Sequence, residues 1–350
     1  MKILVTGGLG FIGSALIRKS LSCGYSVLNI DAMTYAACEK NLQSVHKNKN
    51  YFFNRIDIRD KDKLKNSFEK YQPDIVMHLA AESHVDRSIT NPSDFIETNV
   101  MGTFNMLEIS LNYWKKFNKK RSFRFHHIST DEVFGSLSLN SEDLFTEETP
   151  YNPRSPYSAS KASSDHLVRA WHETYDLPAI VTNCSNNYGP YQFPEKLIPL
   201  IILNALEQKP LPIYGDGSNV RDWLYVDDHV DALLQVAHKG KIGRTYNIGG
   251  NNEFSNLELV KTICSILDKY RPRKKGLYED LIKFVQDRPG HDARYAINSN
   301  RIKNELGWKP STTIMEGLEK TIVWYIENED WWKSIVKRQS LDDGFARKNI

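Results

Sequence analysis

An apolar run, Lys2 to Thr6, is followed at once by Gly7-Gly8-Leu9-Gly10-Phe11-Ile12-Gly13-Ser14 and then by apolar residues at helical spacing through Leu16, Ile17 and Leu21. Few chains can satisfy that order except as a short buried strand, a tight glycine turn and a helix packed back against the strand. Glycines at 7, 10 and 13 let the backbone turn sharply and let helix and strand approach closely, while the helix N-terminus presents free N–H groups to an anion. A second strand, Ser26 to Ile30, runs into Asp31, which follows the last glycine by close to the roughly 20 residues expected of an acid that binds a ribose. Asp31 can accept from both ribose hydroxyls and repels a 2′-phosphate, so the pattern points to NAD, not NADP. Phe11, Ile12 and Thr34 flank the same expected pocket.

Further strands read at Tyr51 to Ile56, Asp74 to Leu79, Phe123 to Ile128, Ile180 to Asn183 and Thr245 to Gly249, with amphipathic helices at Asn99 to Leu111, Ser158 to Tyr175 and Val226 to Ala237. Strand and helix alternate, which predicts an α/β fold: a Rossmann-type doubly wound parallel sheet with a smaller, interleaved C-terminal substrate domain. Residues 1–186 are assigned to the NAD-binding domain, with segments near 221–250 returning to it, and 187–350 mainly to the substrate-binding part. Regular alternation weakens from Asn187, where proline and aromatic content rises. Residues 331–350 carry no motif.

Strand ends are where such sheets keep their ligands. Asp57 and Ile58 are expected to flank the adenine, with an exposed turn as the alternative. Leu79, Ala80 and Ala81 are small or apolar enough for a cofactor to lie against them, with Thr98 nearby. In the polar loop Glu82 to Ser88, Ser83 is expected to face the substrate, while His84, Asp86 and Arg87 brace the loop.

The chemistry concentrates at Thr130-Asp131-Glu132 and at Tyr157-x-x-x-Lys161. Two adjacent carboxylates can serve one substrate only where the chain has left the strand, because neighbouring strand side chains face opposite ways. On a helix, Tyr157 and Lys161 share a face, and a nearby ammonium favours ionisation of a phenol whose ordinary pKa is about 10. Taken singly, each motif is equally consistent with a solvated acidic turn or a surface helix; together with the glycine turn they suggest an oxidation catalyst with an added acid and base. Asn186 and Asn187 follow another strand, and Lys196, Arg221 and Arg288 are candidate diphosphate binders, with surface charge as the alternative. Leu197, Asn256 and His291 complete the expected substrate contacts. Adjacent His126 and His127 would face opposite sides of a strand, with no third ligand at suitable spacing, so no metal is expected.

A net charge of +3 with dispersed basic residues argues against nucleic-acid binding. No apolar run approaches the roughly 20 residues of a membrane span, and four scattered cysteines suggest neither a zinc site nor a disulfide framework. The expectation is a cytoplasmic protein with no membrane association.

On Thr130-Asp131-Glu132, on Ala80-Ala81-Glu82-Ser83-His84-Val85-Asp86-Arg87-Ser88 and on the run from Asn186 to Pro199, the chain resembles the extended short-chain dehydrogenase/reductase family over nearly its whole length. Within it, the chain resembles the branch that dehydrates nucleotide-diphosphate sugars such as dTDP-glucose. The resemblance implies a tightly held NAD, Tyr157 as the base for oxidation, Asp131 as acid and Glu132 as base for dehydration, and Thr130 bonding the sugar. It also implies Asn186 and Asn187 at substrate and cofactor, and a homodimer packed through helices of the first domain. Two features depart from the usual pattern: Phe134 stands where a tyrosine is common, and Ala36-Ala37-Cys38 replaces a glycine-containing loop. A sugar 4-epimerase would share the glycines, Tyr157 and Lys161 but has no use for the two carboxylates. A uronic-acid decarboxylase would set a substrate carboxylate against them, and a non-catalytic NAD-binding protein would be free to lose the reactive set.

Overall fold

The computed structural model describes residues 1–116, 122–287 and 290–342. Its strands are β1 Lys2–Thr6, β2 Ser26–Asp31, β3 Tyr51–Arg55, β4 Ile75–His78, β5 Arg124–Thr130, β6 Ala179–Cys184, β7 Asn186–Tyr188, β8 Leu211–Tyr214, β9 Val220–Tyr225, β10 Thr245–Ile248, β11 Glu253–Ser255 and β12 Ile282–Val285. Seven of them form one sheet in the order β10-β6-β5-β4-β1-β2-β3. Every pairing in it is parallel. Because β1 lies between β2 and β4, the chain winds outward in both directions from it, and a crevice opens at the carboxyl ends on either side of β1.

Alternation along the strands explains why both faces are covered. In β1, Ile3 and Val5 point into a core shared with helices Phe11–Ser22 and Val226–Lys239, while Leu4 points into one shared with helices Lys61–Tyr71 and Gly102–Lys116. A third core, around Tyr188, Trp223, Leu259, Ile263 and Tyr325, lies beneath the small sheets β11-β9-β7 and β12-β8. The doubly wound parallel sheet expected from the sequence is present, and β10 returns to it after β7, β8 and β9 have left.

Several boundaries differ from expectation. Strand β5 runs on through Ser129 and Thr130, because these pair with Asn183 and Cys184 of β6. The segment after Glu82 is not a loop throughout: helix Val85–Thr90, helix Pro92–Phe95 and a π-helical turn, Ile96–Met101, lead into Gly102–Lys116. Pro92 opens its short helix where a missing N–H costs nothing. Residues 331–342, without a sequence motif, belong to helix Glu329–Asp342. Its Trp331 and Trp332 are buried, and the Trp331 indole N–H donates to Asn41 Oδ1 at 2.9 Å. The Asn41 amide in turn donates to the Leu9 carbonyl in the glycine turn at 3.0 Å. Among the described residues no helix is long and apolar enough to cross a membrane.

Candidate active site

The glycine turn owes its shape to close backbone contacts. Gly7 sits at φ +73°, and a Cβ there would lie 2.9 Å from the Ala80 backbone; a Cβ on Gly13 would lie 2.2 Å from the Gly7 carbonyl oxygen. No larger residue fits either place. Helix Phe11–Ser22 begins after Gly10 with no side-chain cap and no acid in its first turn, so its leading N–H groups are left for an anionic ligand. Opposite the turn, Thr6 Oγ1 accepts from the Leu79 and Ala80 N–H groups at 3.2 and 3.1 Å, fixing the end of β4 beside it.

Asp31 is buried at the end of β2. Its two oxygens accept from Leu9 N–H (2.9 Å) and Met33 N–H (2.8 Å), and each keeps capacity for a ligand hydroxyl. Burial raises its pKa, and these two bonds oppose the rise. Asp57, expected at the adenine or in an exposed turn, lines the same cleft, but its carboxylate is gripped by Arg59, with NH2 to Oδ2 at 2.7 Å. The Arg59 guanidinium is held from the other side by Glu97 at 3.1 Å.

These groups line one cleft of about 540 Å³ at the carboxyl edge of the sheet. All sixteen residues expected at the cofactor face it: Gly7, Gly10, Phe11, Ile12, Gly13, Asp31, Thr34, Asp57, Ile58, Leu79, Ala80, Ala81, Thr98, Tyr157, Lys161 and Asn187. The glycine cradle, the uncapped helix end and Asp31 together fit a dinucleotide.

At the inner end of the cleft, β5 gives way to a 3₁₀ turn, Asp131–Phe134, so the two carboxylates are no longer bound by strand alternation. Thr130 caps that turn, its Oγ1 accepting from Glu132 N–H at 3.3 Å. Gly135 ends it at φ +93°. Helix Pro156–Tyr175 starts with a Ser155–Ser158 capping box and Pro156 in its first turn, which fixes the position of Tyr157. Tyr157 and Lys161 both line the cleft with Thr130, Asp131 and Glu132.

Electrostatics distinguish these groups. Asp131 is 1% exposed, and burial, then Glu132 and Asp222, push its carboxyl well above the usual range. Burial and Glu132 likewise push the Tyr157 phenol well above 10. Lys161 is lowered by burial, and its ammonium donates to the Ile128 carbonyl at 2.9 Å. The sequence expectation is that Lys161 favours ionisation of Tyr157; burial and Glu132 act on the phenol in the opposite direction.

The expected substrate residues divide. Ser83, Asn186 and Lys196 line the cleft, with Lys196 Nζ donating to the Ser83 carbonyl at 2.9 Å. Leu197, Arg221, Asn256 and His291 do not. Leu197 packs on the core beneath the small sheets, and the Asn256 N–H bonds the Asn219 carbonyl at 2.9 Å. Arg221 is buried in β9, donating to the carbonyls of Val220 (2.7 Å) and Asp292 (2.9 Å) and lying 4.4 Å from the Tyr295 ring. His291 Nδ1 is 2.7 Å from Asp287. Arg288 lies outside the described residues. His126 and His127 turn to different partners, Thr182 Oγ1 at 3.0 Å and Asp165 at 3.1 Å.

Sequence reading missed Glu195, Gln192, Phe193 and Cys184, which also line the cleft. Glu195 gathers the loop residues: Tyr35 OH donates to it at 3.3 Å, His84 lies at 3.6 Å, and Arg87 lies at 3.9 Å while stacking 3.7 Å above the Tyr35 ring. The aromatic, proline-rich run from Tyr191 was the available signal.

A family model described as GDP-mannose 4,6 dehydratase matches residues 4–321. A dTDP-glucose 4,6-dehydratase of Neisseria meningitidis is 58% identical over 341 residues, covering 96% of this chain and 96% of that protein. The crystal structure of a dTDP-glucose 4,6-dehydratase from Bacillus anthracis in complex with NAD is 46% identical, with a TM-score of 0.85, and covers 96% of this chain and 99% of its own. That of a dTDP-glucose 4,6-dehydratase from Streptomyces venezuelae, also with NAD bound, is 42% identical, with a TM-score of 0.87 and coverage of 96% and 100%.

Proposed function

The chain belongs to the GDP-mannose 4,6-dehydratase family, among the extended short-chain dehydrogenases/reductases, and we infer that it is a dTDP-glucose 4,6-dehydratase, a hydro-lyase of deoxysugar biosynthesis. It converts dTDP-glucose to the 4-keto-6-deoxy sugar and water. The observation that carries this reading is the meeting of Asp131 and Glu132 with Tyr157 and Lys161 in the cleft that holds the glycine cradle and Asp31.

The proton on carbon 5 of glucose is not acidic until carbon 4 is a ketone, so oxidation must come first. NAD, when bound, takes hydride from carbon 4 and returns it to carbon 6, leaving no net redox change. Tyr157 takes the carbon 4 hydroxyl proton, and Lys161 is the cation that favours the phenolate against burial and Glu132. Thr130, at the end of β5, bonds the sugar hydroxyl. Glu132 then removes the carbon 5 proton, now acidified by the ketone. Asp131, kept protonated by burial and by its carboxylate neighbours, donates to the departing carbon 6 hydroxyl. Water leaves, and Glu132 returns its proton to carbon 5 as hydride reaches carbon 6. A 4-epimerase needs only the first of these events, so the acid–base pair favours dehydration.

Residues 1–186, with the segments near 221–250 that return to the sheet, form the NAD-binding domain and 187–350 mainly the substrate-binding domain, with Ser83, Asn186 and Lys196 at the diphosphate and sugar. The protein works in the cytoplasm as a homodimer. Exposed Ile89, Ile96 and Met101, on the helical segments of the first domain, support that packing.

The test is to incubate purified protein with dTDP-glucose and no added cofactor, following product mass and the alkali-induced absorbance of a 4-keto sugar. Loss of one water with no net NADH is expected. Unchanged mass with galactose configuration would instead identify an epimerase.

A further inference from the structure

Tyr157 and Lys161 are the first two of four residues set at four-residue steps along helix Pro156–Tyr175; Asp165 and Arg169 continue the same face. Asp165 is fully buried, a costly place for a carboxylate unless its partners are good. Its Oδ2 accepts from the Tyr151 hydroxyl (2.8 Å) and the Asn183 amide (3.1 Å), and its Oδ1 lies 3.1 Å from His127 Nε2. The same Asn183 amide donates to the Thr130 carbonyl at 3.1 Å, one peptide before Asp131. Arg169 reaches the group only at second hand, donating to the Tyr151 hydroxyl at 2.7 Å.

We propose that Asp165 is a positioning residue: buried one helical turn beyond Lys161, and without direct contact to its ammonium, it supplies the negative charge that balances Lys161 and, through His127 and Asn183, ties the carboxyl end of β5 to the helix that carries Tyr157. The inference rests on the reading of Tyr157 and Lys161 as the oxidation pair.

The groups around Lys161 leave few rivals for that part. From β6 it faces Cys184, whose thiol burial pushes up to about 12, so no thiolate is present at neutral pH. From β5 it faces His127, lowered by burial and by Lys161 itself to about 4, and from β4 His78, also lowered by burial; both are neutral. The segments 96–116 meet the helix through Asn99, whose amide donates to Ser160 and whose carbonyl accepts from Ser164. Asp165 itself is held below the usual carboxylate range: burial raises it, but His127 and Lys161 outweigh that.

Two experiments on the full-length protein decide the matter. The first is a stability cycle of Asp165→Asn, Lys161→Met and the double variant, read by urea unfolding. Counter-ions predict that Asp165→Asn destabilises the wild type strongly but is neutral or stabilising once Lys161 is methionine, because that change leaves the carboxylate unpaired. Equal losses in both backgrounds overturn the proposal. If Asp165→Asn alone does not fold, the double variant decides: it should fold, and its failure counts against the pairing.

The second is the pH dependence of carbon 4 oxidation. Without the Asp165 charge, Lys161 loses its proton more easily and stabilises the phenolate less. The acid limb should then move up by about one unit or more, with at least about a tenfold loss at neutral pH. Asp165→Glu should restore the limb even if the rate stays lower. A uniformly lower rate with an unmoved limb means mere scaffolding and overturns the positioning role. Were the wild type inactive on every nucleotide sugar, the proposed function would fail, while the stability cycle would still report on the pairing.

Discussion

Asp131 and Asp165 are both sealed from solvent, yet their surroundings drive them in opposite directions. Asp131 has Glu132 and Asp222 as neighbours; its pKa is raised by burial first and those carboxylates next. Asp165 has Lys161, His127, Tyr151 and Asn183, and its pKa is lowered in spite of burial. Burial is common to both, so partners decide the outcome. One site holds a proton ready to give away; the other holds a charge that fixes its surroundings.

The comparison breaks most visibly at the turn. Glu132→Gln should lower dehydration by about 10³-fold or more while carbon 4 oxidation persists, since a positioned base is worth roughly 10² to 10⁴. Rapid-quench analysis of the 4-keto-glucose intermediate would check it, and equal loss of both steps would remove Glu132 as the base. Asp131→Asn should slow dehydration by about 10²-fold, with oxidation nearly intact and no loss of urea stability, because the amide resembles the protonated acid already present. A large loss of stability would mean that Asp131 is ionised after all.

The smallest effect is on the pH dependence of stability, where the two residues should show opposite slopes. Asp165 has a depressed folded pKa. Its contribution is full above the unfolded value of about 3.9 and is lost as pH falls through the folded value. Asp131 has a raised one, so it detracts from stability progressively as pH rises from about 3.9 toward its folded pKa. Urea midpoints of both variants should approach the wild type at acid pH and part from it as pH rises, Asp131→Asn lying above it and Asp165→Asn below. Parallel curves would erase the distinction between the two sites.

What could be read from the sequence was what local geometry dictates. A turn that needs glycine at Gly7 and Gly13 is visible as glycine, and strand ends such as Asp31, Ala80 and Thr130 fall at one sheet edge once the topology is parallel. The step from Tyr157 to Lys161 was legible as helix spacing, but the same step to Asp165 was passed over. A lone aspartate on a helix is usually solvated, and only the packing of β5 and β6 buries this one. Arg221 shows the other difficulty: the Asp292 carbonyl it bonds lies 71 residues further along the chain. Glu195 likewise becomes part of the cleft only because Tyr35, His84 and Arg87 converge on it from two distant parts of the chain, the turn after β2 and the short helix Val85–Thr90.

The bond from Trp331 to Asn41, and from Asn41 to the carbonyl of Leu9, joins the far end of the chain to the phosphate-facing turn through two hydrogen bonds. An indole wired in this way is a built-in optical gauge. A ligand that shifts Leu9 would disturb the dipole beside a buried fluorophore, and the difference in emission between the wild type and Trp331→Phe, which sets aside the other tryptophans, would report occupancy of the turn from the opposite end of the sequence.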